Sequence, residues 1–258
     1  MSKFRDDIQK IMNAPVNVIN RNVMELMSTE NYITYTNTIF PVDRAIYIYE
    51  FNHRVLTGLF QTNRSEFYLD DSAFAKRNEI LSNGMVYIHN YISSQFSLLD
   101  ILKKHAEPLP WKNDLLAEWK KLHKMNLTKF FSDMRNNILH QTNFGPSLRF
   151  DSKWGHTKIV YPVAELLKSD RWNNSKGYIS TLGDYVLLED LVEEYHGYMM
   201  DFLHRYQAIL YDRNAVAFKQ VLTSLLDFAH QYKAIGQQGF LPASEEYIVA
   251  KLNFYPNS

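Results

Sequence analysis

The sequence predicts a mainly α-helical fold, an antiparallel helical bundle with a small inserted β-hairpin. Three features predict it. Apolar residues recur at three- and four-residue steps over long stretches, as in Leu127, Phe130, Phe131, Met134 and Ile138. Two long helical patterns are joined by Glu107-Pro108-Leu109-Pro110, a connector too short for anything but antiparallel neighbours. Two short β-rich segments flank Ser152-Lys153-Trp154-Gly155-His156, the pattern of a hairpin.

Taken in order, Phe4 to about Met27 reads as helix, interrupted at Pro15. Asn31 to Phe40 is rich in Thr, Tyr and Ile and reads as a strand or an extended crossing segment. Pro41 suits the first turn of a helix over Val42–Gln61. Asp70-Asp71-Ser72 offers a cap for a long helix ending near His105. After the proline connector, one long amphipathic helix is expected from Asn113 until Gly145-Pro146 stops it. The hairpin strands are Ser147–Asp151 and Thr157–Tyr161, followed by a short helix over Pro162–Lys168 and a polar loop over Ser169–Gly177. Thr181 with Asp184 reads as the N-cap of a long acidic helix reaching Tyr211. A break at Asp212-Arg213-Asn214 precedes a helix over Ala215–Lys233, and a short helix is expected near Glu245. All of this is expected to form a single helical domain over residues 1–258. Its core helices are 70–145, with 1–69 as an N-terminal helical extension and 146–258 as the hairpin plus C-terminal helices.

Composition bounds the function. Cysteine is absent, so there are no disulfides and no thiolate metal sites, as suits a reducing cytosol. The start, MSKFRDDIQK, is charged and carries no apolar signal core, and no apolar run is long enough to cross a bilayer. The expectation is a cytoplasmic protein with no membrane partner. Net charge is zero, so the molecule as a whole does not attract polyanions. Its distribution is uneven: Ile101 to Arg135 holds eight Lys or Arg against four Asp or Glu, whereas Asp184 to His204 holds six acids and no Lys or Arg.

The leading constellation is Arg135-Asn136-Asn137-Ile138-Leu139-His140. A guanidinium stays charged and grips phosphate with a planar fork. An imidazole titrates near neutral pH and moves protons. Together they suit metal-independent RNA cleavage: His140 takes the proton of a ribose 2′-hydroxyl, and Arg135 stabilises charge on the attacked phosphate. One imidazole cannot serve both ends of an in-line displacement, so a symmetric dimer is expected to supply a second. Asn136 would hold the substrate or orient His140, and Lys120, Lys121, Lys124 and Lys129 would hold phosphates.

Met134 through His140 resembles the signature of the HEPN superfamily, an Arg, four to six residues, and a His, with a polar residue often following the Arg. The resemblance covers roughly Ser72 to Phe144. It implies a helical bundle that dimerises with paired motifs forming a cleft, with Arg135 and His140 catalytic and Asn136 supporting. It also implies RNA as ligand. Many members are metal-independent endoribonucleases of toxin–antitoxin or phage-defence type, which makes an antitoxin protein a conceivable partner; others bind RNA without cutting. No cofactor is expected.

Two other readings come from different classes. A helical interaction or scaffold protein without an active site treats Arg135 and His140 as a solvated helix end. A ferritin-like dimetal-carboxylate protein uses the two Glu-x-x-His motifs, Glu50 with His53 and Glu193 with His196, completed by carboxylates from Glu25, Glu79 or Glu118.

Overall fold

The structure is a computed structural model and describes residues 10, 13–61, 72–140, 146–151, 156–237, 239 and 241–253. It is mainly helical with one small antiparallel sheet, as the sequence predicts. In chain order the elements are α1 (Pro15–Met27), α2 (Glu30–Gln61), α3 (Ser72–Ala106), α4 (Lys112–His123), α5 (Asn126–His140), β1 (Ser147–Asp151), β2 (His156–Pro162), α6 (Val163–Leu166), α7 (Lys176–Ile179), β3 (Tyr185–Leu187), α8 (Leu188–Asp212), α9 (Ala215–Ala234) and α10 (Glu245–Asn253). No helix among the described residues is long and apolar enough to cross a membrane.

The chain divides into two compact units, residues 1–41 with 208–258, and residues 42–207.

In the first unit α9 packs on α1 and α10. Ile19, Val23 and Tyr232 form a buried cluster flanked by Val16, Met27, Phe228 and Leu241. Tyr35 meets Phe218 edge-on, with ring centroids 5.4 Å apart. At the end of α9, Gly236 adopts φ +67°, and the amides of Gly236 and Gln237 donate to the carbonyls of Lys233 and Tyr232. Glycine accepts this left-handed stop without a Cβ penalty.

The second unit is built on α3, which packs against α4, α5 and β1. Its core includes Leu98, Leu99 and Leu102 from α3 and Phe130, Phe131 and Met134 from α5. Ile159 and Val160 from β2 and Tyr195, Met199 and Phe202 from α8 complete it. Trp172 is fully buried and stacks on Phe130, with centroids 5.4 Å apart and planes 16° apart. The sheet order is β1-β2-β3. β1 and β2 form the predicted hairpin, with Ser147 opposite Val160, while β3 pairs Val186 with Tyr161.

Five local expectations are corrected. Residues 31–40 are helix, not strand: Tyr32, Tyr35 and Ile39 are buried at three- and four-residue steps while Ile33 and Asn37 are exposed, which is the helical period. The same helix runs through Pro41 rather than starting there. Proline removes the donor to the carbonyl four residues back. That residue is Asn37, and it and Pro41 are both exposed, so water can satisfy the freed group. The helix expected over 113–145 is two, α4 and α5, separated at Lys124 and Met125. There the Thr128 hydroxyl donates to the Leu122 carbonyl at 2.7 Å, satisfying one of the open acceptors at the end of α4. Finally, Thr181 and Asp184 do not cap α8. The chain first adds β3 to the sheet, and α8 starts at Leu188. Within the segment expected as loop over 169–177, Lys176 already opens α7.

Candidate functional site

α5 carries the leading motif on its last turns. Arg135 is half-buried, and its guanidinium carbon lies 5.3 Å from the centre of the Phe96 ring of α3. Among the described residues no carboxylate pairs with it. Asn136 is exposed beside it. The backbone of His140 closes the helix, and its side chain lies outside the described residues.

Asp133, Asn136, Asn137 and His140 share one helical face by their three- and four-residue spacing, and the fold splits that face. Asp133 and Asn137 are buried and serve the structure. The Asp133 carboxylate accepts the Asn174 amide (2.9 Å) and side chain (3.0 Å), and the Ser175 amide (3.0 Å) and hydroxyl (2.8 Å). Asn174 and Ser175 immediately precede α7, so Asp133 fixes the entry to that helix from a distant part of the chain. Asn137 donates to the Asp133 carbonyl at 2.9 Å and accepts from the Ser169 hydroxyl at 3.0 Å. The end of α5 is thereby tied to the segment 169–175.

Of the lysines expected to hold phosphates, Lys120, Lys121 and Lys124 are exposed and Lys129 is half-buried. Lys121 pairs with Glu118, which also accepts from Arg205 Nε at 2.7 Å. Burial pushes the Glu118 carboxyl up, but hydrogen bonds from Lys121 and Arg205 outweigh it and hold the group below its usual range. Glu118 is thus committed to cations, while Glu79 and Glu25 are exposed.

The two Glu-x-x-His motifs do meet, in the second unit. The rings of His53 (α2) and His196 (α8) are stacked, centroids 3.6 Å apart and planes within 7°. His53 Nε2 is 3.6 Å from the Glu193 carboxylate and makes no hydrogen bond. Tyr49 and His196 Nδ1 are hydrogen-bonded at 3.0 Å, and the Tyr91 hydroxyl is 3.5 Å from that of Tyr49. Gln95 donates to the Tyr195 hydroxyl at 3.0 Å. Burial lowers both imidazoles to about 4, with mutual repulsion adding to the shift at His196. Both are therefore neutral at physiological pH. Glu50 is half-buried, a turn from His53. Rings lying face to face present parallel, not converging, lone pairs, whereas a metal ion needs donors aimed at one point. Among the described residues no group of three or more His, Asp or Glu is placed to hold a metal ion.

Sequence reasoning paired these two motifs but missed the stack and its tyrosines. The available signal was the identical spacing of a histidine three residues after a glutamate on two helices.

Comparison with family models, curated proteins and solved structures returns no match.

Proposed function

We propose that the α3–α5 region handles RNA and that, in a dimer, it works as a metal-independent endoribonuclease of the HEPN kind. The observation that carries this reading is the state of Arg135: a half-buried guanidinium resting on the Phe96 ring, with no carboxylate partner among the described residues. An arginine held against an aromatic face keeps its fork available for an oxyanion. Asn136 is exposed next to it, and Lys120 and Lys124 lie exposed on the preceding helix and its end.

In this reading a ribose 2′-oxygen attacks the adjacent phosphorus and the 5′-oxygen leaves. The products are a 2′,3′-cyclic phosphate and a 5′-hydroxyl. His140 accepts the 2′-proton, an imidazolium from a second copy of the chain protonates the leaving oxygen, and Arg135 stabilises the charge gathering on the phosphoryl oxygens. The test is incubation of RNA with the full chain in EDTA. Cleavage with cyclic phosphate ends is expected, lost in both Arg135→Ala and His140→Ala. RNA left intact by the wild-type chain overturns the nuclease reading.

A further inference from the structure

The face of α2 turned away from Tyr49, His53 and Leu56 carries large apolar side chains in water. Tyr47 is 61% exposed, Phe51 49% and Ile48 44%, whereas Tyr49 and Leu56 are fully buried. Positions 47, 48 and 51 share one side of the helix by its three- and four-residue period. The Tyr47 and Phe51 rings lie against each other, centroids 6.5 Å apart and planes 27° apart. Arg44 and Arg54 flank the pair, both exposed and neither paired with a carboxylate among the described residues. They lie ten positions apart on the helix, about 15 Å at a rise of about 1.5 Å per residue.

We propose that this face binds a single-stranded RNA, whose bases stack on Tyr47 and Phe51 while Arg44 and Arg54 take its phosphates. Aromatic faces between cationic side chains are what single-strand binding uses, because every base has a π-face and every linkage a negative charge. The charges argue against a second copy of the chain as the occupant. A two-fold antiparallel contact centred on residue 49 would place Arg44 of one copy against Arg54 of the other, a like-charge meeting at both ends. A polyanion meets both arginines favourably. The inference takes RNA as its ligand from the function proposed above, but it does not need Arg135 or cleavage.

The experiment measures fluorescence anisotropy of a labelled 2′-O-methyl oligoribonucleotide with the full chain. This probe lacks the free hydroxyl needed for cleavage, so binding is read whether or not the chain is a nuclease. The wild-type chain should bind it. The double variant Tyr47→Ala, Phe51→Ala should bind about tenfold more weakly or worse, while Tyr47→Trp and Phe51→Trp retain affinity. Each of Arg44→Gln and Arg54→Gln should reduce the slope of log affinity against log salt by about 0.7. These residues are exposed, so the variants should melt as the wild type does. The proposal is overturned by three results: absence of binding by the wild-type chain, equal affinity in the double alanine variant, or a change confined to sedimentation, which would mark a protein contact. Cleavage in EDTA by a chain that fails here would leave the Arg135 reading standing and remove this one. Binding here without cleavage would do the reverse.

Discussion

His53 and His196 stack face to face at a centroid distance of 3.6 Å, so that charging both rings would set two cations against each other. Both titrate at about 4 in the folded chain, against an ordinary value of 6.5. Between those values the unfolded chain binds more protons, so stability rises with pH through that window. The contribution is complete above pH 6.5 and is lost as pH falls toward 4. The groups facing the pair are Tyr49 from α2, Tyr91 from α3 and Glu193 from α8. Of these, Glu193 alone favours the charged form of His196. Urea unfolding across that range should show the loss. His53→Phe keeps a flat ring for stacking, and His53 Nε2 makes no hydrogen bond to lose. That variant should match the wild type at pH 7 and show a shallower acid decline. An unchanged decline would mean that the stacked pair does not set the acid sensitivity.

Asp133 offers a second test of the fold around the motif. Its carboxylate serves the amides and side chains of Asn174 and Ser175, and Ser175 is buried. Asp133→Ala leaves those donors without an acceptor, each worth about 1–3 kcal/mol when buried. A loss of about 3 kcal/mol in urea unfolding at neutral pH is expected, and a smaller one for Asp133→Asn, which keeps one acceptor oxygen. A variant within about 0.5 kcal/mol of wild type would show that water replaces the carboxylate.

The long helices and the hairpin were legible because their signals are local. Ser72 stands at the start of α3, Pro108 and Pro110 at its far end, and residues 147–151 and 156–162 pair as neighbours. At Tyr32, Tyr35 and Ile39 β-propensity pointed one way and burial period the other, and packing decided. What was not legible depends on partners far along the chain. Asp133 and Asn137 read as motif neighbours of Arg135, but their partners are Ser175, Asn174 and Ser169, more than thirty residues away. β3 exists because β2 offers Val160 and Tyr161 an edge to pair with, which three residues of sequence cannot announce. The Glu-x-x-His spacing announced a pair of helices, and only their packing could show rings stacked instead of donors converging.

The contact between Arg135 and Phe96 can be measured apart from any RNA. A double-mutant cycle of Arg135→Ala and Phe96→Leu on unfolding free energy should give a coupling of about 0.5–1 kcal/mol, the range of a partly exposed cation–π contact. On the function proposed, Phe96→Leu should lower kcat/KM for RNA cleavage several-fold, since the guanidinium loses its shelf. Arg135→Lys should lower it further, since an ammonium has no planar fork. Additive effects on stability would place the two side chains apart in solution. Equal cleavage by Phe96→Leu and wild type would remove Phe96 from the positioning of Arg135.

Gly239 is defined by the space it does not fill. A Cβ built there would lie 2.1–2.2 Å from ring carbons of Tyr232. That ring is not free to swing: it is 2% exposed, packed with Ile19 and Val23, and its hydroxyl donates to Asn20. Gly239→Ala must therefore displace the chain or break the anchored ring out of its cluster. A destabilisation of about 1–3 kcal/mol is expected, the usual range for overpacking. If the ring is the cause, the cost of the added methyl should largely vanish in a Tyr232→Ala background, a non-additivity that calorimetric melting would read as equal midpoints for the single Tyr232→Ala and the double variant. Gly239→Ala melting with the wild type would show that the ring yields easily, and the close approach of this backbone to Tyr232 would then contribute nothing to the first unit's stability.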